Sequence, residues 1–189
     1  MAKKISLNSA YGAIGNQYFR YFDVKQAEAI TLGGQLSIRW VERDVNRFMN
    51  KLLGTDNKNY VVASDTDSIY LKLDTLVEKV CKGKSTKQIV EFLNKAAEDK
   101  IQKVIDDSYQ NLAHYVNAYQ QKMIMKREAI ANKGIWVAKK RYMMNVFDEE
   151  GIRFDIPKLK IMGVEAVKSS TCLLYTSPSP RDRTRSRMP

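Results

Sequence analysis

Apolar residues recur at helical spacing from Val24 to Leu53, through Ala27, Ile30, Leu36, Trp40 or Val41, Val45, Phe48 and Leu52. The pattern predicts one long helix ended by Gly54, with Gly33-Gly34 weakening its middle as a bend or a point of close packing. A second stripe, Ile89, Phe92, Leu93, Ala96, Ile101, Ile105, Tyr109, Leu112 and Val116, starts at a Ser85–Gln88 capping box and predicts a helix to about Tyr119. Between the two the period falls to two. Tyr60-Val61-Val62-Ala63-Ser64-Asp65 enters a polar turn and Ser68-Ile69-Tyr70-Leu71-Lys72-Leu73 leaves it, which predicts a β-hairpin.

Two extended runs follow, residues 122–130 and 135–146, with Lys133-Gly134 as the turn between them. Asp148-Glu149-Glu150-Gly151 marks a further turn before Ile152-Arg153-Phe154. The cluster Lys139-Lys140-Arg141-Tyr142 then falls inside a strand, placing Lys140 and Tyr142 on one face and Lys139 and Arg141 on the other. That arrangement suits a sugar-phosphate track and, equally, a solvated edge strand protected by lysines. Upstream, Lys3 to Gly12 reads as the last turns of a helix closing on Gly12, so the chain begins inside an element. The rings of Tyr18-Phe19-Arg20-Tyr21-Phe22 are expected in the core. The fold class is α+β: a small antiparallel sheet packed on long helices.

Composition adds a partner class. With 32 Lys and Arg against 21 Asp and Glu, the 189-residue chain carries a net charge of +11, which suits a polyanion such as nucleic acid. Residues 172–189 abandon periodicity for Ser, Pro and Arg, and resemble a translated sequencing adapter; they are read as a non-native tail. Removing its four arginines and one aspartate lowers the charge by three, to +8, and the basic signal survives. No apolar run is long enough to span a bilayer. Cys81 and Cys172 have no zinc-type spacing, which points to a reducing, intracellular setting. His114, the single histidine, has no partners at a suggestive spacing and reads as an ordinary helix residue.

The candidate chemistry lies at the hairpin tip. Asp65 and Asp67 repel each other unless a cation compensates, and hard divalent ions favour such oxygens. Taken alone, an Asp-x-Asp turn is more often a solvated turn than a ligand pair. A binding module that uses the basic surface alone accounts for the same charge.

Three stretches in order resemble family B DNA polymerases, most closely the replicative polymerases of tailed bacteriophages. They are Lys4-x-x-x-Asn8-Ser9-x-Tyr11-Gly12, Asp65-Thr66-Asp67-Ser68 and Lys140-Arg141-Tyr142. The likeness continues through Lys126-Arg127-Glu128-Ala129-Ile130 and Leu159-Lys160-Ile161-Met162-Gly163 to Lys168-Ser169-Ser170-Thr171, covering residues 3–171. It implies residues 1–23 as the end of a fingers helix and its link, and 24–171 as an incomplete palm domain. The implied reaction is transfer of a deoxynucleotide to a primer 3′-hydroxyl with two magnesium ions. Asp67 is implied as a direct metal ligand, Asp65 as a supporting carboxylate acting through water, and Glu128 as an acid just outside the metals. Lys4, Asn8, Tyr11 and Gly12 are implied as nucleotide-binding, with Lys4 facing the triphosphate in a catalytic role. Lys140, Arg141, Tyr142 and Lys160 are implied as contacts to primer-template DNA. Asn8-Ser9-x-Tyr11-Gly12 ahead of the hairpin sets this family apart from reverse-transcriptase-like enzymes, which also use paired palm acids. The family's first palm motif, with its other essential aspartate, precedes the fingers helix and is not in this sequence. The chain is therefore expected to be an inactive fragment, with any sliding clamp recruited through a carboxy-terminal end it does not carry. The implied location is the cytoplasm of a phage-infected cell.

Overall fold

A computed structural model describes residues 2–164, apart from the side chains of Ala2, Lys4 and Asn8. Cys172, the stretch Lys168-Ser169-Ser170-Thr171 and the tail 172–189 lie outside the described residues. The chain divides into two compact units, one ending at Lys126 and the other starting at Arg127. Helices dominate the first and strands the second, so the α+β class holds, but the strands form two sheets rather than one.

In the first unit, α1 (Ala2–Ile14) runs straight through Gly12. The expected stop at Gly12 is corrected: the chain turns at Gly15 and Asn16, with Asn16 N donating to Ala13 O at 2.9 Å. The aromatic link is also corrected. Successive turns over Asn16–Phe22 throw the rings outward, leaving Tyr18 and Tyr21 exposed and Phe19 and Phe22 about two-fifths exposed.

Helix α2 (Val24–Leu53) has the predicted limits. Asp23 accepts from the backbone N–H groups of Lys25 and Gln26, and Gly54 closes the helix at φ 62°, a left-handed conformation that glycine adopts without a Cβ penalty. Its buried stripe is Ser37, Val41, Val45, Met49 and Leu53, one residue out of phase with much of the predicted one; Ile30, Leu36 and Leu52 are exposed. Trp40 and Phe48 pack on the flank of the core rather than in it, and such bulky residues pull a sequence-based phase toward themselves. Gly33 and Gly34 mark no close packing, since a Cβ on either would meet nothing within 4 Å.

After the hairpin β1 (Val61–Asp65) and β2 (Ser68–Leu71) comes α3 (Asp74–Val80), a short helix the periodicity did not disclose. Ser85 and Gln88 form the capping box that opens α4 (Thr86–Ala96). A π turn at Ala97–Ile101 joins it to α5 (Gln102–Tyr115), which ends earlier than predicted and leaves His114 exposed. The π turn absorbs the five-residue step from Ala96 to Ile101, so the stripe keeps facing the core. That core joins Val41, Val45, Met49 and Leu53 to Tyr60, Leu76, Ile101, Ile105, Tyr109 and Leu112, with Ile69 and Leu71 of β2 packed against it. Burying each such side chain contributes roughly 1.5–3 kcal/mol.

In the second unit, β3 (Ala129–Ala138), β4 (Arg141–Glu149) and β5 (Ile152–Met162) form an antiparallel meander. Three expectations change here. Residues 122–128 form no strand, Lys133-Gly134 lies inside β3, and the turn is Lys139-Lys140, so Lys140 is not in a strand. Gly134 serves close packing instead: a Cβ there would sit 2.7 Å from the Trp136 ring, which folds back over it. The predicted turn before Ile152 is present, with Glu150 and Gly151 at φ 52° and 88°, the pairing of left-handed residues that a two-residue hairpin favours. Pro157 sits on the edge strand beside a register shift, where its missing N–H costs no ladder bond. Among the described residues no helix is long and apolar enough to cross a membrane.

Candidate active site

The hairpin tip is a two-residue turn, Thr66-Asp67, closed by the pair Asp65 and Ser68. Thr66 takes φ 48°, a conformation that β-branched residues avoid and that the tight turn imposes. Its hydroxyl donates to Asp65 Oδ1 at 3.0 Å, and Ser68 Oγ donates to the Asp65 carbonyl at 3.1 Å. Two carboxylates are thus held one residue apart on a strained, locally bonded turn. Strain of this kind persists where the surroundings over-determine it.

The entry to the hairpin is held from α2. Asn46 Oδ1 accepts from the N–H groups of Tyr60 at 2.8 Å and Val61 at 3.3 Å. One turn on, Asn50 Oδ1 accepts from Lys58 N at 3.0 Å and Thr55 Oγ1 at 2.7 Å, while its amide donates to Lys58 O at 2.8 Å. The start of β1 is bolted to the helix through two asparagine side chains. Tyr109 of α5 is 6% exposed in the core against which β2 packs. Burial, and after it the Asp67 carboxylate, raises its phenol above the ordinary tyrosine value. Sequence reading missed Asn46 and Asn50 and took Tyr109 as simple core; Asn at i and i+4 on an otherwise amphipathic helix was the available signal.

The oxygen donors suit magnesium in kind. In number they make a partial set, because the described residues form no group of three or more His, Cys, Asp or Glu able to hold an ion. Magnesium is commonly held by one or two carboxylates plus phosphates and water, so two on one tip fit it.

The other candidates lie elsewhere. Positions 4, 8 and 11 fall on one face of α1 by helical spacing, but the side chains of Lys4 and Asn8 are outside the described residues. Tyr11 is half exposed and its hydroxyl bonds Thr31 Oγ1 of α2 at 2.9 Å. Gly12 has open space where a Cβ would stand. Tyr11 therefore meets the first half of α2, whereas the hairpin's entry is bolted to its second half.

In the second unit, Lys140 sits at φ 63° in the exposed β3–β4 turn, with Arg141 and Tyr142 opening β4. Gly163, at φ 66°, backs this turn so closely that a Cβ on it would collide with the Lys140 carbonyl oxygen. Gly163→Ala is expected to destabilise this unit by about 1–3 kcal/mol in chemical denaturation. An unchanged midpoint would show that the turn yields freely. Glu128 and Lys160 are brought together, Nζ to Oε1 at 2.6 Å.

No protein-family profile matches the chain. Among curated proteins it is 45% identical over 179 residues to the DNA-directed DNA polymerase of Escherichia phage RB69, covering 89% of this chain and 20% of that protein. It is 44% identical over 179 residues to the DNA-directed DNA polymerase of Enterobacteria phage T4, with the same coverage. By sequence the chain is a relative of these phage polymerases, and it spans about a fifth of their length.

Proposed function

We propose that the chain is the palm segment, with the end of the fingers helix, of a family B template-directed DNA polymerase that extends a primer with deoxynucleoside triphosphates during phage DNA replication. The observation that carries the reading is the anchored carboxylate pair Asp65 and Asp67 in a chain nearly half identical to phage polymerases. Asp67 would hold a metal directly and Asp65 would support it through water. Bound there, two magnesium ions would neutralise charge on the attacking and leaving oxygens of an in-line displacement. The chain's own residues position the reactants. Lys4, Asn8, Tyr11 and Gly12 receive the triphosphate and the nascent base pair, Lys4 balancing charge as pyrophosphate departs. Lys140, Arg141 and Tyr142 hold the primer-template backbone, which fixes register without reading sequence.

With two carboxylates at the tip and no group of three or more acids among the described residues, the chain alone is expected to show negligible primer extension. The test is a chimera in which residues 2–164 replace the matching segment of the phage T4 relative. Magnesium-dependent primer extension is the expected result. A folded, DNA-binding chimera without extension would instead favour a catalytically silent nucleic-acid-binding module.

A further inference from the structure

We infer that Lys160 is a positioning residue for the Glu128 carboxylate and is not one of the chain's contacts to DNA phosphate. Its Nζ donates to Glu128 Oε1 at 2.6 Å and to Glu149 Oε1 at 3.0 Å, and its side chain is 19% exposed. Two of its three N–H donors are committed, and a phosphate approaching the third would meet two carboxylates first. Lys158, paired with Glu149 Oε2 at 3.0 Å, completes an alternating row of two acids and two lysines that presents no net charge to a polyanion. Lys140, by contrast, projects from an exposed turn.

The backbone at Glu128 is held as well. Its carbonyl accepts from Glu150 N at 2.7 Å, and the preceding Arg127 is ion-paired to Asp148. Glu128 itself remains 60% exposed on its side chain, so one carboxylate oxygen is gripped while the group stays open to solvent. Such a grip is what a carboxylate serving a reaction needs, since it fixes the rotamer before any ligand arrives. Burial opposes the charge on Lys160, but the hydrogen bonds to Glu128 and Glu149 outweigh it and keep the ammonium protonated. The hydrogen bonds from Lys158 and Lys160 likewise lower the Glu149 carboxyl below its ordinary value. That Glu128 serves nucleotidyl transfer rests on the function proposed above; the assignment of Lys160 does not.

The experiment uses the full chain with Lys160→Met, Lys160→Arg and Lys140→Met variants. Binding to a fluorescent primer-template is followed by anisotropy over a salt series, and the carboxyl carbons of Glu128 and Glu149 by 13C NMR. Lys140→Met is expected to reduce the salt slope by about one, and Lys160→Met to leave it unchanged. Both carboxyl resonances should move in Lys160→Met and return toward their original positions in Lys160→Arg, a rescue that also controls for folding. A slope reduced by about one in Lys160→Met, or a Glu128 resonance that stays put, overturns the assignment. If the unmodified chain fails to bind DNA, the proposed function fails, and the two resonances still decide the role of Lys160.

Discussion

Asp67→Ala in the chimera is expected to lower primer extension on the order of 10³-fold while primer-template affinity changes little. The magnitude follows from removing a preorganised charge at the reacting centre, where even a single neutral donor is worth about 10²–10³ in rate. Asp67 sits at the tip of a hairpin whose entry Asn46 and Asn50 bolt to α2, and its carboxylate takes no part in those bonds, so the substitution removes a charge without loosening that support. Asp65→Ala should cost less, because Asp65 already accepts a hydrogen bond from Thr66 and, in the proposed function, supports the metal only through water. Single-turnover extension at saturating magnesium, beside anisotropy titrations, reads both quantities. An Asp67→Ala chimera that keeps most of its rate would sink the carboxylate pair as the metal platform.

Arg127→Met is expected to destabilise the second unit by about 3–5 kcal/mol, the cost of leaving a buried charge without its partner. Asp148 is 1% exposed, ion-paired to Arg127 and hydrogen-bonded by Gly151 N at 3.1 Å. Arg153 lies 3.9 Å from the other oxygen but is half exposed, too distant and too screened to substitute. The double variant Arg127→Met with Asp148→Leu should recover most of the loss, because an apolar pair of similar volume needs no charge compensation. Urea denaturation followed through Trp136, in a Trp40→Phe background, measures it. A loss below about 1 kcal/mol would mean that water or another group solvates Asp148 once Arg127 is gone.

The two predictions draw on different kinds of information. The hairpin with its paired acids could be read from residues alone, because a turn between two alternating runs is a local pattern; Asp67 is singled out from Asp65 through the family resemblance. The Arg127–Asp148 pair could not, since its members are twenty-one positions apart and nothing in either neighbourhood marks the other. The same division explains the errors. Lys133-Gly134 has the composition of a turn, yet the glycine is there to admit the Trp136 ring; Lys139-Lys140 lacks turn residues, yet forms the turn, with Lys140 accepting a left-handed φ and Gly163 behind it. The aromatic link looked like core because rings usually are, and the local turns turned them out.

The limits of α2, the capping box at Ser85, the hairpin with its paired acids and the turn at Glu150-Gly151 were all legible in the order of residues. Caps, alternation and tight turns are settled by neighbours within a few residues, so they can be read without a fold. Folding is what brings the asparagines of α2 to the hairpin's entry, buries Tyr109 within reach of the Asp67 charge, makes Asp148 the buried half of an ion pair and sets Lys160 on Glu128. Those interactions join residues from 8 to 42 positions apart, and their energies depend on burial and distance that no local pattern encodes.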